Sequence, residues 1–184
     1  MITKIAHDHV SGLCRAKENL FGPLFFEEHI MVVAYYAKKL AELLGANAEI
    51  VELAAYLHDI SAISDFKTLS EHPAIGAATA AEFLKLNGYP AAKIEKVKEC
   101  IVSHSLPRAK GKGALEEVCV SNADAISQII KPAYWLYYIF SVRKFDFEAG
   151  RDWYRARIES HRKAMIPEAL SLIQDEYTLA RTLF

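Results

Sequence analysis

The sequence predicts an all-α protein, a compact bundle of helices with short connections. Apolar residues recur every three or four positions over most of the 184 residues, which is the period of one face of an α-helix. Glycine and proline fall between these runs, as at Gly22-Pro23 and at Gly88-Tyr89-Pro90, where they are typical of helix ends and turns. No stretch alternates convincingly between apolar and polar residues, and no repeat or low-complexity tract occurs.

The first half of the chain predicts five helices, over residues 2–20, 26–44, 48–59, 73–86 and 90–104. Gly22-Pro23 separates the first two, Gly45 ends the second, and the polar residues 61–70 form a loop after the third. Pro73 and Pro90 suit first helical positions, where a backbone N–H would be unpaired in any case. The residues expected to face the core are Ile2, Ile5, Val10, Leu13 and Leu20, then His29, Val32, Val33, Tyr36, Leu40 and Leu43, then Ile50, Leu53, Ala54 and Leu57, then Ile75, Thr79, Phe83 and Leu86, and finally Ile94, Val97, Ile101 and His104.

The second half predicts four more helices, over residues 114–130, 134–140, 146–161 and 167–183. A basic loop at residues 105–113 precedes them, where Pro107 and two glycines interrupt the periodicity. Pro132 separates the sixth helix from an aromatic run, Tyr134 to Phe140, which we expect in the core or against a partner subunit in a homodimer. The inward residues of the sixth helix are expected to be Leu115, Val118, Cys119, Ile126 and Ile129.

Length and composition favour a single cytoplasmic domain. We expect residues 1–184 to form one domain, with a motif-bearing core at about 26–130 and a helical extension at about 132–184. The three cysteines lack metal-ligand or redox spacing and are typical of reduced, buried thiols, and we expect no signal peptide. The net charge of −1 gives no electrostatic footprint for nucleic acid. The most apolar segment, Ala133 to Val142, is about half the length that crosses a bilayer, so we expect no membrane span.

Six side chains of metal-ligand type stand out because each lies at a helix end or on an apolar helical face. Taken singly, each is explained by ordinary packing or solvation. Taken together, four buried imidazoles and two buried carboxylates without a shared partner would cost on the order of several kcal/mol in unpaired polar groups. A divalent cation satisfies them all at once. The six residues are His29, His58, Asp59, His72, His104 and Asp124.

The pair His58-Asp59 lies where the third helix is expected to end. Neighbouring residues of a helix point about 100° apart, so these two can share one ion only where the backbone leaves the helix. A carboxylate is also unfavourable at the negative end of a helix unless a positive charge lies beside it. His72, near the start of the fourth helix, should stay neutral because the helix dipole disfavours imidazolium. The second such pair, His7-Asp8, has no comparable partners in the sequence and is interpreted as ordinary surface.

In this order the residues resemble the HD-domain family of metal-dependent phosphohydrolases. The four-ligand signature of that family is similar, in order, to His29, His58, Asp59 and Asp124. The local sequences at 54–60 and 122–125 also resemble the motifs of the family. His72 and His104 resemble the extra histidines of branches that hold two metals. The resemblance covers roughly residues 26–130, and the C-terminal third carries no motif.

The resemblance implies a metal-dependent phosphohydrolase whose first ion binds His29, His58, Asp59 and Asp124. It implies a second ion on His72 and His104 with Asp59 as the bridging ligand, so these three are also the expected catalytic residues. In such a centre the ions bind and deprotonate a water that attacks phosphorus, and they neutralise the charge that develops on the phosphoryl oxygens. One or two ions are expected, and the ligand set does not choose among Mn, Fe, Co, Ni, Zn and Mg.

Substrate contacts are expected from cations near these ligands. Arg108 is the leading candidate, because a guanidinium binds phosphate oxygens through two hydrogen bonds, and Lys67 in the loop after the third helix is the second. The expected substrate is a small phosphorylated molecule such as a nucleotide. Position 105 is Ser, where cyclic-dinucleotide-cleaving relatives have a second His. Ala62 and Ile63 stand where some nucleotide-pyrophosphatase relatives have acidic residues.

Two other functions stay open on the sequence. Relatives that oxidise substrates with a mixed-valent iron pair use nearly the same ligands, so the ligand set alone admits a di-iron oxygenase. A catalytically idle module that binds a nucleotide or a protein partner is the third reading, although such a module has no need of six intact ligand-type residues.

Overall fold

The computed structural model describes residues 1–63, 65 and 69–183, and it confirms the all-α prediction. Within this part of the chain there are ten α-helices and no strand. They are α1 (Ile2–Arg15), α2 (Met31–Leu44), α3 (Ala48–Leu57), α4 (His72–Leu86), α5 (Ala91–Val102), α6 (Leu115–Ile130), α7 (Pro132–Tyr137), α8 (Phe147–Ala164), α9 (Pro167–Ser171) and α10 (Gln174–Arg181). One π-helical turn, Phe26–Ile30, leads into α2, and another, Tyr138–Val142, follows α7. None of the helices described is both long and apolar enough to cross a membrane.

Helix α6 is the centre of the bundle. It packs against α2, α3 and α5, and also against α8 and α10. Every residue from 118 to 129 is buried. Polar side chains on such a helix need partners inside the protein, because water does not reach them. The polar residues of this segment are Ser121, Asn122, Asp124, Ser127 and Gln128.

Helix ends follow the local sequence where the site is formed. Gly45 takes a left-handed conformation, with φ of 72°, and closes α2. The Asn47 side chain accepts a backbone hydrogen bond at the start of α3. Helix α3 ends at Leu57, so His58 and Asp59 lie in the turn that follows it. The backbone therefore leaves the helix at His58-Asp59, as the sharing of one ion by neighbouring residues requires.

The predicted inward face of α4 is wrong by one position. The helix buries Gly76, Ala77, Ala80 and Leu84, whereas the predicted residues Ile75, Thr79, Phe83 and Leu86 are exposed or half-buried. The smaller residues allow close packing: a Cβ added to Gly76 would lie 3.2 Å from the carbonyl oxygen of His58. Proximity to the His58 turn thus selects the small face over the bulky one.

Other expected positions differ in the same way. Ile5, Leu43 and Leu115 were expected in the core and are exposed, because the helices turn Ala6, Ala41 and Val118 inward instead. Helix α1 ends at Arg15 rather than at residue 20, and the Asn19 side chain stabilises the following turn by donating to two carbonyl oxygens.

The C-terminal third forms more elements than expected. The helix predicted over 167–183 is divided into α9 and α10, and Ile173 is buried at the break between them. In the aromatic run, Tyr134, Trp135 and Tyr138 are buried within the chain. The core was one of the two locations expected for this run. The homodimer and the single-domain division stay predictions.

Candidate metal centre

The structure brings all six candidate ligands to one place. His29 lies in the π-helical turn before α2, His58 and Asp59 follow α3, His72 begins α4, His104 follows α5, and Asp124 lies within α6. All are buried except His72, which is half-buried. Single π-helical turns are frequent at functional sites. Five separate segments therefore meet at one buried cluster of imidazoles and carboxylates.

The carboxylate of Asp59 lies between two pairs of imidazoles. Its Oδ2 atom is 3.3 Å from Nε2 of both His29 and His58. Its Oδ1 atom is 3.4 Å from Nε2 of His72 and 3.6 Å from Nε2 of His104. Within the pairs, the two Nε2 atoms are 3.0 Å apart for His29 and His58 and 3.1 Å apart for His72 and His104. One carboxylate thus faces two separate points at which ligand atoms converge.

These separations fit ligand atoms around metal ions. Nitrogen and oxygen ligands that lie about 2.0–2.2 Å from one cation are roughly 3.0–3.5 Å from each other when they are neighbours in its coordination shell. Two triplets of ligand atoms have a suitable arrangement: His29, His58 and Asp59 form one, and Asp59, His72 and His104 form the other. Asp124 adds an oxygen to the first triplet, with Oδ1 at 3.5 Å from His29 Nε2 and 3.9 Å from His58 Nε2.

Hydrogen bonds fix which nitrogen of each imidazole is free. Every Nδ1 atom has a protein partner: Ser127 Oγ for His29 (2.8 Å), and the carbonyl oxygens of Ala55 for His58 (2.9 Å), Leu69 for His72 (2.7 Å) and Ile101 for His104 (2.6 Å). A carbonyl oxygen only accepts, so Nδ1 carries the proton in those three rings and Nε2 presents a lone pair. Ser127 Oγ donates to the Asp124 carbonyl oxygen and therefore accepts from His29. Facing lone pairs about 3 Å apart repel each other unless a proton or a metal cation lies between them.

The charges in this cluster perturb one another. Burial alone would raise the pKa of Asp59 and of Asp124, but the facing imidazoles outweigh it and lower both, that of Asp59 well below its usual range. Burial alone would lower the pKa of His58, yet the two carboxylates raise it to about 9. Burial lowers the pKa of His72 and keeps that ring neutral, whereas the helix dipole was expected to have this effect. Without an ion, the cluster therefore holds protons that a cation would displace.

A cavity of about 210 Å³ opens onto the cluster. One part of its wall consists of five candidate ligands, namely His29, Asp59, His72, His104 and Asp124. Much of the rest is aromatic or cationic and includes Phe21, Trp135, Tyr138, Trp153, Arg143 and Arg157. Trp135 and Tyr138 were expected to serve only in the core or an interface, but they also line this cavity. The C-terminal extension therefore contributes to the site although it carries no sequence motif.

Sequence reasoning missed the polar neighbours of Asp124. The polar side chains of Ser103, Ser121 and Asn122 bond to backbone atoms away from the candidate ligands. The groups that support the ligands are Ser127, through His29, and Gln128, whose Nε2 donates to Asp124 Oδ2 at 3.0 Å. Both lie three or four positions after Asp124, which places them on the same face of α6, and this spacing could have identified them.

Of the two predicted substrate contacts, Arg108 does not line the cavity. The guanidinium of Arg108 lies 3.3 Å from a carboxylate oxygen of Glu117 and donates to the carbonyl oxygen of Lys112 at 2.6 Å, away from the cavity wall. Lys67 lies outside the described residues. A substrate role for either stays a prediction. The second His-Asp pair, His7-Asp8, lies on the surface of α1.

Comparisons with known proteins found a matching family model and a similar solved structure. The family model described as HD domain matches residues 26–129. The chain is similar in structure to YpgQ of Bacillus subtilis, whose crystal structure is of a complex with ADP. The TM-score is 0.66 at 16% sequence identity, and the match covers 96% of this chain and 95% of that chain, which shows a shared fold. No curated protein matches the sequence.

Proposed function

This chain belongs to the HD-domain family, and we propose that it is a metal-dependent phosphohydrolase that cleaves a phosphoester or phosphoanhydride of a small molecule such as a nucleotide. The observation that carries the proposal is the position of Asp59, with one carboxylate oxygen toward His29 and His58 and the other toward His72 and His104. YpgQ, which shares the fold, was crystallised with ADP, and this supports a nucleotide as the substrate class.

Two divalent cations would be held by residues already arranged for them. The first would bind His29, His58, Asp59 and Asp124, and the second would bind Asp59, His72 and His104. When bound, such cations supply Lewis acidity, which lowers the pKa of water and offsets negative charge on phosphoryl oxygens. Nitrogen and oxygen donors admit Mn, Fe, Co, Ni, Zn or Mg.

The residues of the chain would hold the cations, orient the imidazole rings and exclude water from part of the cavity. The carbonyl oxygens of Ala55, Leu69 and Ile101 hold three imidazole rings in one tautomer and one orientation before any substrate enters. Such preorganised groups need little rearrangement during reaction. The buried rings of Trp135 and Tyr138 keep water from part of the cavity, and electrostatic attraction is stronger in this low-dielectric surrounding.

The replacement Asp59→Asn tests the proposal with a matched control. It removes the charge shared by both candidate ion sites, so metal content should fall for both, and phosphate release should fall by about 100-fold or more. Asp8→Asn alters the other His-Asp pair, which is exposed, and should change neither quantity. The measurements are elemental analysis of the purified proteins and phosphate release from a panel of nucleotides and sugar phosphates with each metal. Full activity in Asp59→Asn would sink the proposal, and oxygen uptake without phosphate release would replace it with an oxygenase.

A further inference from the structure

Arg157 of α8 presents a guanidinium group on the wall of the cavity. Its Nε donates to Oε1 of Gln128, and its guanidinium carbon lies 5.6 Å from the centre of the Trp153 ring. In the part of the chain described by the structure, the terminal nitrogens of Arg157 have no hydrogen-bond acceptor. A guanidinium has five N–H donors, so four remain for a ligand.

The residues that the structure describes do not neutralise the charge of Arg157. Among the described residues no carboxylate pairs with it, whereas Arg155, two positions earlier on α8, pairs with Glu159. Arg143, a second cavity residue, likewise has aromatic neighbours rather than acidic ones: it lies 3.4 Å from the Tyr138 hydroxyl and 5.4 Å from the centre of the Phe145 ring. Two half-buried cations without described counter-ions, on one cavity wall, favour an anionic ligand.

Gln128 fixes the position of Arg157 relative to the metal centre. Its Nε2 donates to Oδ2 of Asp124 at 3.0 Å, and its Oε1 accepts from Arg157 and lies 3.2 Å from Nε2 of His161. The side chain is 3% exposed, so both ends of the amide are held inside the protein. A neutral amide orients the guanidinium without cancelling its charge, which a carboxylate at this position would do.

We propose that Arg157 and Arg143 form a phosphate-binding subsite, contributed by the C-terminal extension, and that Gln128 is its positioning residue. The ligand class is a phosphate group whose oxygens accept from the free guanidinium N–H groups while the group lies in the same cavity as the candidate metal ligands. The assignment rests on the proposed function for the reaction, but the anion site itself is a separate claim and is tested by binding.

The test measures binding of inorganic phosphate to the full-length protein loaded with Mn²⁺, by isothermal titration calorimetry. Arg157→Gln should weaken phosphate binding by about tenfold or more, because it removes charge-assisted hydrogen bonds, which are roughly twice as strong as neutral ones. Arg143→Gln removes the second guanidinium of the subsite and should also weaken phosphate binding. Arg157→Lys keeps the charge without the planar fork and should give an intermediate loss. Arg155→Gln, on the same helix but 58% exposed at its side chain, is the matched control and should bind phosphate within about twofold of wild type. Manganese content should be unchanged in all four.

A double-mutant cycle tests the role of Gln128. Gln128→Met should weaken phosphate binding in the wild-type background but cause little further loss in Arg157→Gln, since the amide acts through the guanidinium. Gln128→Glu should weaken phosphate binding because it neutralises Arg157. Because Gln128 also donates to Asp124, all four proteins of the cycle are titrated under manganese saturation, and additive losses under that condition would show that Gln128 is not a positioning residue for Arg157.

The outcomes separate this inference from the proposed function. Wild-type phosphate affinity in Arg157→Gln, an equal loss in Arg155→Gln, or no phosphate binding by the wild type would overturn the subsite, even if the protein is a phosphohydrolase. Conversely, Arg157→Gln could lose phosphate binding while the wild-type protein releases phosphate from no substrate. That pair of results would support the subsite and contradict the proposed reaction.

Discussion

Removal of the Ser127 hydroxyl should weaken metal binding without changing any ligand. Ser127 Oγ lies 2.8 Å from Nδ1 of His29 and donates to the carbonyl oxygen of Asp124 at 2.7 Å, and the residue is completely buried. In Ser127→Ala the Nδ1–H of His29 loses its acceptor where water does not replace it. Losing such a partner of a ligand costs about 10–100-fold in metal affinity, which is roughly 1.4–2.7 kcal/mol.

Ser121→Ala is the matched control for this change. Ser121 is also completely buried on α6, and its hydroxyl donates to the carbonyl oxygen of Glu117 at 2.7 Å and accepts from the backbone N–H of Arg108. Both variants should lose about 1–3 kcal/mol of unfolding free energy, measured by urea denaturation without metal. Competition against a metal chelator should show weaker binding for Ser127→Ala alone. Wild-type metal affinity in Ser127→Ala, or the same loss in Ser121→Ala, would refute the argument that this hydroxyl supports His29.

Two more predictions concern buried histidines. Burial, together with the charge of Arg157, lowers the pKa of His161 to about 4. An unfolded imidazole titrates near pH 6.5, so the stability gained by keeping His161 neutral is present above about pH 6.5 and is lost as the pH falls through about 4, by roughly 3 kcal/mol in total. His161→Gln should flatten the pH dependence of urea unfolding in this range, and an unchanged slope would contradict the assignment. Despite its burial, His58 has a pKa raised to about 9 by Asp59 and Asp124, so it is protonated in the metal-free protein at pH 7.5. Metal binding should then release about one proton from this ring, measured by calorimetry in buffers of different ionisation enthalpy, and metal affinity should fall as the pH falls. A proton count of zero would contradict this account.

The sequence identified the candidate ligands because their signals are local. His58-Asp59 ends an apolar helical run, and His29 and Asp124 lie among apolar neighbours, where an unpaired polar group would be costly. The structure then places these residues within contact of one another. Helix periodicity also predicted the all-α fold, since it depends on the spacing of residues along one segment.

The substrate side of the cavity could not be predicted in the same way. Arg143 and Arg157 reach it only because α7 and α8 pack across the bundle, and no local pattern in residues 132–164 indicates that contact. His161 has no motif around it in the sequence, yet it is 1% exposed and contacts Gln128. Arg108 follows His104 closely in the sequence, but its side chain pairs with Glu117, and its role in substrate binding stays a prediction.

The inward face of α4 shows a second limit. Bulky apolar residues such as Phe83 are the usual guide to a buried face. Here the short distance between α4 and the turn at His58 determines which face of α4 is buried, because only a face of small residues such as Gly76 fits that distance. Distances between helices are set by tertiary packing, which periodicity does not contain.

The central claim is that Asp59 is shared by two ions, and anomalous X-ray scattering from crystals grown with Mn²⁺ tests it most directly. The account predicts two manganese peaks. Each should lie about 2.0–2.4 Å from a different oxygen of Asp59, one next to His29 and His58 and the other next to His72 and His104. A single peak, peaks that do not contact Asp59, or no peak at these residues under manganese saturation would contradict it.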